Sequence, residues 1–390
     1  MAQSTVSAAN EVTHFQKKVN REYVRGGKFK AYIGADENSV IQTNSDLKKH
    51  SIPLIAKLSG AGVTAGSTLS GNEESLSNYE MSFTPSYDRN AVKVNDEENE
   101  KSEFSLFTEA NPALKNWSME LKRNKIIQAM GAITVNAAGD ALNYGGTVGA
   151  KGSAAATAGN MDTWNTNNGD RILYGKLKSN RTAGDHTTSL ATIDTTNDKM
   201  TAGMVTLLKR MAGLANPLIR PLYVRDDEPW YVLFLGSFAF RDLNEDTVIT
   251  AANREARARG VNTGNPVFEG GDLLYNGVII REIPEIDSLF IDGDGLGGPF
   301  DGVWGANAAS GDGLDNGGNS ASRVGIGFLC GAQAVCFGRG RDAMMTRDKN
   351  DDYGFNKGVG IALKHDFKKF HFNLKQHGMV TSFHSAAADA

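Results

Sequence analysis

Cysteine is nearly absent from this chain of 390 residues: there are two, Cys330 and Cys336. Two thiols at that spacing match neither a CxxC zinc or redox site nor a disulfide framework. If they share a strand they face the same way at i and i+6, too far apart to bond directly, so reduced thiols are expected. Long apolar runs are missing too. The first residues hold no stretch suited to a signal peptide, and WYVLFLGSFAF (230–240) is too short to span a bilayer and reads as a buried strand. A formal net charge of -4 argues against a protein whose whole surface grips nucleic acid.

Catalytic and ligand-binding signatures are also lacking. GGTVGAKG resembles a phosphate loop, but Ala150 precedes Lys151 where glycine is needed and Gly152 replaces the Mg²⁺-ligating Ser/Thr. GIGFLCG, with Gly325, Gly327 and Gly331, misses the dinucleotide spacing by about one residue. Asp292, Asp294 and Asp301 in DGDGLGGPFDG form an oxygen-rich loop without the spacing or closing Glu of an EF-hand, which reads as a solvated insertion. His365, His371, His377 and His384 cluster near the C-terminus without an HExxH or a tight ligand pair. No GxSxG elbow occurs. Neither catalysis, a cofactor nor a metal has positive support.

What is present is glycine, at 44 residues, with 40% hydrophobic and 22% charged residues. This is a loop-rich globular chain, long enough for two or three domains or one elaborate domain with excursions. Its organising stretch runs from about Ser51 to Ile133. SIPLIAKL leads to the Gly/Ser/Thr-rich tip GAGVTAGSTLSGNEESLSN, and the return arm places Tyr79, Met81, Phe83 and Tyr87 at alternate positions, interrupted by Pro85. Alternation of this kind is the period of a half-buried strand. The pattern predicts one long hairpin, with arms of about twenty residues reaching roughly 60 Å. A lone ribbon is marginal in water, so a partner surface is required, and a second copy of the chain is the candidate. After an acidic run from Asp96 to Glu103, ALKNWSMELKRNKIIQAMGAI predicts a helix of about twenty residues, roughly 30 Å, with Pro112 near its first turn. Leu114, Trp117 and Leu121 share one face, whereas Met119, Ile126, Met130 and Ile133 lie roughly opposite. That suggests a strut between packed layers, or an ordinary core helix with a drifting stripe.

Before this stretch, Lys17, Lys18, Arg21, Arg25, Lys28 and Lys30 interleave with Phe15, Tyr23, Phe29 and Tyr32. They read as a solvated or partner-ordered arm, or one touching an acidic neighbour or nucleic acid. From Val135 to about Thr196 the chain is rich in Ala, Gly, Asn and Thr, with DRILYGKL (170–177) as a short strand. TAGMVTLLKRMAGLA (201–215) is an amphipathic helix, capped from Thr195, Thr196 or Asn197 and stopped by Asn216-Pro217. TAANREARARG (250–260) is a second helix closing on Gly260, and Asn276-Gly277 within DLLYNGVIIREI signals a type I′ hairpin. Helices alternating with strands between about 195 and 345 predict an α/β or α+β section with its own sheet. Near the end, Val359, Ile361 and Leu363, then Phe370, Phe372 and Leu374, alternate as strands that return to pack on the long helix.

LSGAGVTAGSTLSGNEESLSNYEMSF, the RNAV of Arg89 to Val92 and the ANPALKNW helix resemble the major capsid proteins of N4-like tailed bacteriophages. FLGSFAFRDL, REARARGVNTGNPVFEGGDLLYNGVIIREI and VGIGFLCGAQAVCFGRG resemble the same family in the same order, so the likeness covers most of residues 45 to 345. It is weakest across the Gly-rich stretches at about 140–165 and 287–322. The resemblance implies an α+β HK97-like fold: an N-terminal arm (1–45), an extended loop (46–103), a peripheral domain with the spine helix (104–194 and 346–390) and an axial α/β domain (195–345). It implies a structural protein that self-assembles into hexameric and pentameric capsomers of an icosahedral shell enclosing DNA. Decoration, scaffold or portal proteins are possible partners, and no membrane is implied. Tyr79, Met81, Phe83 and Tyr87, with Lys17, Lys18, Arg21 and Arg25, become inter-subunit contact candidates. Two other readings stand beside it: a soluble α/β enzyme or ligand-binding protein with a pocket in 195–345, and a Ca²⁺-dependent surface or decoration protein built on the Asp/Gly loop.

Overall fold

The computed structural model describes residues 28–29, 40–43, 50–58, 60, 62–102, 105–134, 141–142, 158–225, 228–251, 273–290 and 324–387. Lys17, Lys18, Arg21 and Arg25, the phosphate-loop-like segment, Asp292, Asp294, Asp301 and nearly all of the helix expected at 250–260 lie outside the described residues.

In chain order, β1 (Val40–Thr43), β2 (His50–Ile55), β3 (Asn78–Phe83) and β4 (Ser86–Asn95) precede the long helix Leu106–Gly131. β5 (Ile133–Thr134) pairs with β6 (Ala141–Leu142), and β7 (Ile172–Tyr174) follows a helix at Ala158–Asn167. After the amphipathic helix Ala202–Leu214 come β8 (Tyr223–Arg225), β9 (Glu228–Leu235), β10 (Leu273–Tyr275), β11 (Val278–Glu282) and β12 (Val324–Cys330). β13 (Val335–Asp351) and β14 (Asn356–Lys369) form a long hairpin, and β15 (His371–Phe372), β16 (Lys375–Gln376) and β17 (Met379–Ser385) end the fold.

Two sheets organise the chain. One has four strands in the order β1-β13-β14-β4; the other has seven, in the order β10-β11-β9-β12-β17-β7 with β8 paired to β9. In the larger sheet, alternate residues feed two cores. Val232, Phe234, Ile326, Phe328 and Phe383 pack with the end of the long helix, while Tyr231, Leu233, Leu235, Leu329 and Val380 pack against the amphipathic helix. Cover on both faces explains why VGIGFLC is buried throughout rather than alternating. Asn276 and Gly277 have φ of 48° and 71°, the left-handed pair that a type I′ turn requires, and they close the β10–β11 hairpin as expected.

The long helix starts earlier than the sequence suggests and runs for 26 residues. Ser105 caps it, accepting from the Thr108 amide, and Pro112 sits inside rather than in the first turn, leaving the Thr108 carbonyl without its usual N–H donor. Its two halves are buried in different places. Leu114 and Leu121 pack with Val359, Ile361 and Leu363 of β14, whereas Ile126, Ile127, Met130 and then Ile133 enter the core beneath the larger sheet. Met119, expected on the second stripe, is exposed. The helix therefore joins the two sheets, as a strut does.

Three expectations change. The hairpin is paired over only six residue positions, His50 with Phe83 through Ile55 with Asn78. Beyond Pro85 the return arm leaves its partner, and β4 joins β14 instead. Of the late strands, β14 does return to the long helix through Val359, Ile361 and Leu363, whereas Phe370 and Phe372 pack at the base of the hairpin instead. Finally, the amphipathic helix starts at Ala202, and its amide donates to Asp246, distant in sequence, at 2.8 Å. Its cap comes from tertiary structure and not from Thr195, Thr196 or Asn197.

Candidate assembly surfaces

The base of the hairpin is anchored on its own chain. Ile52 and Met81 pack with Cys336, Phe370 and Phe372, with Leu54 at the margin. Met81 is fully buried there, so it is not available to a neighbour, contrary to its place among the contact candidates. Alternation shows that one face of a strand is covered, but not by which molecule. Tyr79 and Tyr87 do remain exposed, at 36% and 47%. Phe83 stands opposite His50 in the ladder, and its side chain lies outside the described residues.

Above this base, strand pairing ends, with one further bond from the Ala56 amide to the Ser77 carbonyl at 2.8 Å. The described residues between them are held by local turns and by two glutamates. Glu74 accepts from the Gly60 amide and Glu73 from the Gly71 amide, both at 2.7 Å. Leu69 and Leu76 are exposed at 64% and 60%, with Ile55 and Leu58 also open to solvent. An isolated exposed apolar side chain needs no explanation, but here Ile55, Leu58, Leu69 and Leu76 are all exposed within one short segment and its foot.

The four-stranded sheet next to this excursion is tied to the long helix by buried charge. Lys125 donates to Asp88 of β4 at 2.5 Å, and His365 Nδ1 lies 3.9 Å from the same carboxylate oxygen. Burial, reinforced by Lys125 and Lys122, pushes the His365 imidazole down to about 3, so it is neutral. Arg123 pairs with Glu285 at 3.2 Å, linking the helix to the region of the larger sheet. In the N-terminal segment, Phe29, read above as part of a basic arm, is fully buried with its ring 5.1 Å from that of Phe234, and Arg281 donates to the Lys28 carbonyl at 3.1 Å. None of these links carries a local sequence signal, because each joins residues far apart in the chain.

The remaining chemistry is structural. Among the described residues no group of three or more His, Cys, Asp or Glu side chains could hold a metal ion. No helix among them is long and apolar enough to cross a membrane. Cys330 and Cys336 form no disulfide and are buried in separate clusters, on strands of different sheets rather than a shared one. Burial pushes the Cys336 thiol up to about 12, far from a reactive thiolate.

Two sheets joined by a helical strut, with a hairpin anchored at its base and leaving Leu69 and Leu76 exposed beyond it, make up the described fold. A family described as "Phage capsid protein" matches residues 3–387. The chain belongs to this phage capsid family. The capsid of cyanophage Pam1 is 33% identical, with a TM-score of 0.83 over 100% of both chains. The capsid of Ralstonia phage GP4 is 18% identical, with a TM-score of 0.67 over 100% of both. That of Helicobacter pylori bacteriophage KHP30 is 12% identical, with a TM-score of 0.66 over 97% of this chain and 96% of that one. No curated protein matches the sequence. The fold is HK97-like, and the capsid protein is a structural major capsid protein of the virion, not an enzyme. It forms the head shell from capsomers built of many copies of itself.

Proposed function

We propose that this capsid protein, made in the host cytoplasm, closes into an icosahedral shell of hexameric and pentameric capsomers around packaged DNA, with residues 56–77 lying across a neighbouring subunit. The observation that carries the reading is the contrast along the hairpin. Its base buries Met81 and Ile52 in the parent chain, while Leu58, Leu69 and Leu76 beyond the ladder are exposed. An arm anchored at one end and bare at the other adds contact area that globular faces do not offer. In a closed symmetric lattice many modest contacts of this kind become collectively strong.

The division into arm, extended loop, peripheral and axial parts belongs to this reading. Lys17, Lys18, Arg21 and Arg25 would face an acidic neighbouring surface or packaged DNA. Decoration, scaffold and portal proteins are the further partners it allows. A chain in which residues 60–74 are replaced by a short Gly/Ser linker tests it. The variant is expected to keep its melting temperature as free chain and to fail to form particles in negative stain. Normal shells from that variant would overturn the reading.

A further inference from the structure

The amphipathic helix Ala202–Leu214 ends in an apolar corner. The chain that leads from it to β8 is tied to the larger sheet and to the helix itself. The Ile219 amide donates to the Ala212 carbonyl at 3.4 Å, the Ala332 amide to the Arg220 carbonyl at 2.8 Å, and Arg171 to the Pro217 carbonyl. Along this fixed path Leu214, Leu218 and Val224 are each more than half exposed. Tyr223 stacks on Trp230 of β9 with ring centroids 5.7 Å apart, and the indole Nε1 of Trp230 has no hydrogen-bond partner among the described residues. The corner is also cationic. Arg210 and Arg220 are exposed and pair with no carboxylate among the described residues, whereas Glu228 of the β8–β9 hairpin stands opposite Arg225. Leucine, tyrosine, tryptophan and arginine held on a fixed backbone are the composition of an interface centre rather than of ordinary surface.

The other end of the same helix has the complementary character. The Ala202 amide donates to Asp246, directly after the helix Ser237–Glu245, so this second corner is separated from the first by the 13-residue helix, about 20 Å. Here Glu245 and Val248 are exposed between Asn244 and Thr247, and Glu245 pairs with no cation among the described residues. One end of the helix thus offers apolar side chains with arginine, and the other offers valine with glutamate. Two different surfaces at opposite ends of one subunit fit a head-to-tail contact, which closes a ring when repeated by rotation.

We propose that the corner at 214–224 of one copy seats on the corner at 244–248 of the next copy in a capsomer, with Arg220 meeting Glu245 and Leu218 covering Val248. This rests on the reading that the copies close into capsomer rings, and it names the two surfaces that join one copy to the next. Neither the excursion at 56–77 nor the four-stranded sheet takes part in this contact.

A charge exchange tests it. Arg220→Glu and Glu245→Arg each place like charges together, so each should lower particle yield roughly tenfold or more while the unassembled chain melts unchanged. The double variant restores the opposite charges and should recover most of that yield. Normal yield from both single variants, or no recovery in the double variant, would overturn the contact. A photo-cross-linking amino acid at Leu218 in assembled particles supplies a second measurement, with links expected to a peptide within 237–251 of another copy. Links only to other parts of the chain or to a different virion protein, or no intermolecular link, would overturn the contact. Images of the same particles separate the two levels. Five- and six-fold capsomers without the expected link would leave the ring reading standing, whereas shells without such rings would overturn both.

Discussion

Lys125 Nζ donates to Asp88 Oδ2 at 2.5 Å across the interface between the long helix and the edge strand β4, with Asp88 buried and the Lys125 side chain only 11% exposed. Removing one partner leaves the other charge in a site that water cannot readily reach. Asp88→Ala is therefore expected to cost about 3–5 kcal/mol. The double variant Asp88→Leu/Lys125→Met, which removes both charges and keeps the apolar volume, should cost much less. Urea unfolding of the unassembled chain distinguishes the two, and equal losses would show that the pair does not act as a unit.

Met81 and Leu69 belong to one hairpin but should behave in opposite ways. Met81→Ala opens a cavity beside Ile52, Phe370 and Phe372 and is expected to cost about 2–5 kcal/mol in the free chain. The Leu69 side chain is largely exposed, so with Leu69→Ser the free chain should melt unchanged while particle yield falls. Melting curves paired with particle counts test both. A strong effect of Leu69→Ser on the free chain's stability would place that side chain in its own subunit's packing.

Acid should unfold the chain through its buried imidazoles. Burial pushes His186, His365 and His384 down to about 3, about 3 and about 4. Between those values and the ordinary 6.5 the unfolded chain binds more protons, so stability is lost as pH falls. Asp366 and Asp287, each pushed up to about 6 by burial, work in the opposite direction, two groups against these three and His377, which burial also pushes down. Replacing His384, whose Nδ1 has no partner, by Met should shrink the loss between pH 7 and pH 4 by on the order of 3 kcal/mol. Urea midpoints across that range would contradict this if the variant and parent lost stability in parallel.

The parts legible in the sequence are those with local causes. Asn276-Gly277 specifies its turn within two residues, and the run from Leu114 to Met130 is helical by the absence of breakers. Its two stripes, around Leu114 and Ile126, mark a helix covered on different sides, and the structure places those stripes in separate cores. Partner choice is not local. The alternation through Tyr79, Met81, Phe83 and Tyr87 looks continuous, yet Pro85 divides it between two ladders. β17 finds β12 and β7 because tertiary packing decides which edge it joins. The Asp88–Lys125 bond and the Lys364–Tyr87 cation–ring contact depend on strand register and helix placement together, and no spacing in the sequence encodes either.

Hydrogen–deuterium exchange over residues 62–77, compared between intact heads and the unassembled chain, tests the central claim most directly. If the excursion lies across a neighbour, its amides exchange fast in the free chain and are protected at least tenfold in the shell. Equal, rapid exchange in both states would contradict the account, because an arm that gains no protection on assembly is not part of what holds the shell together.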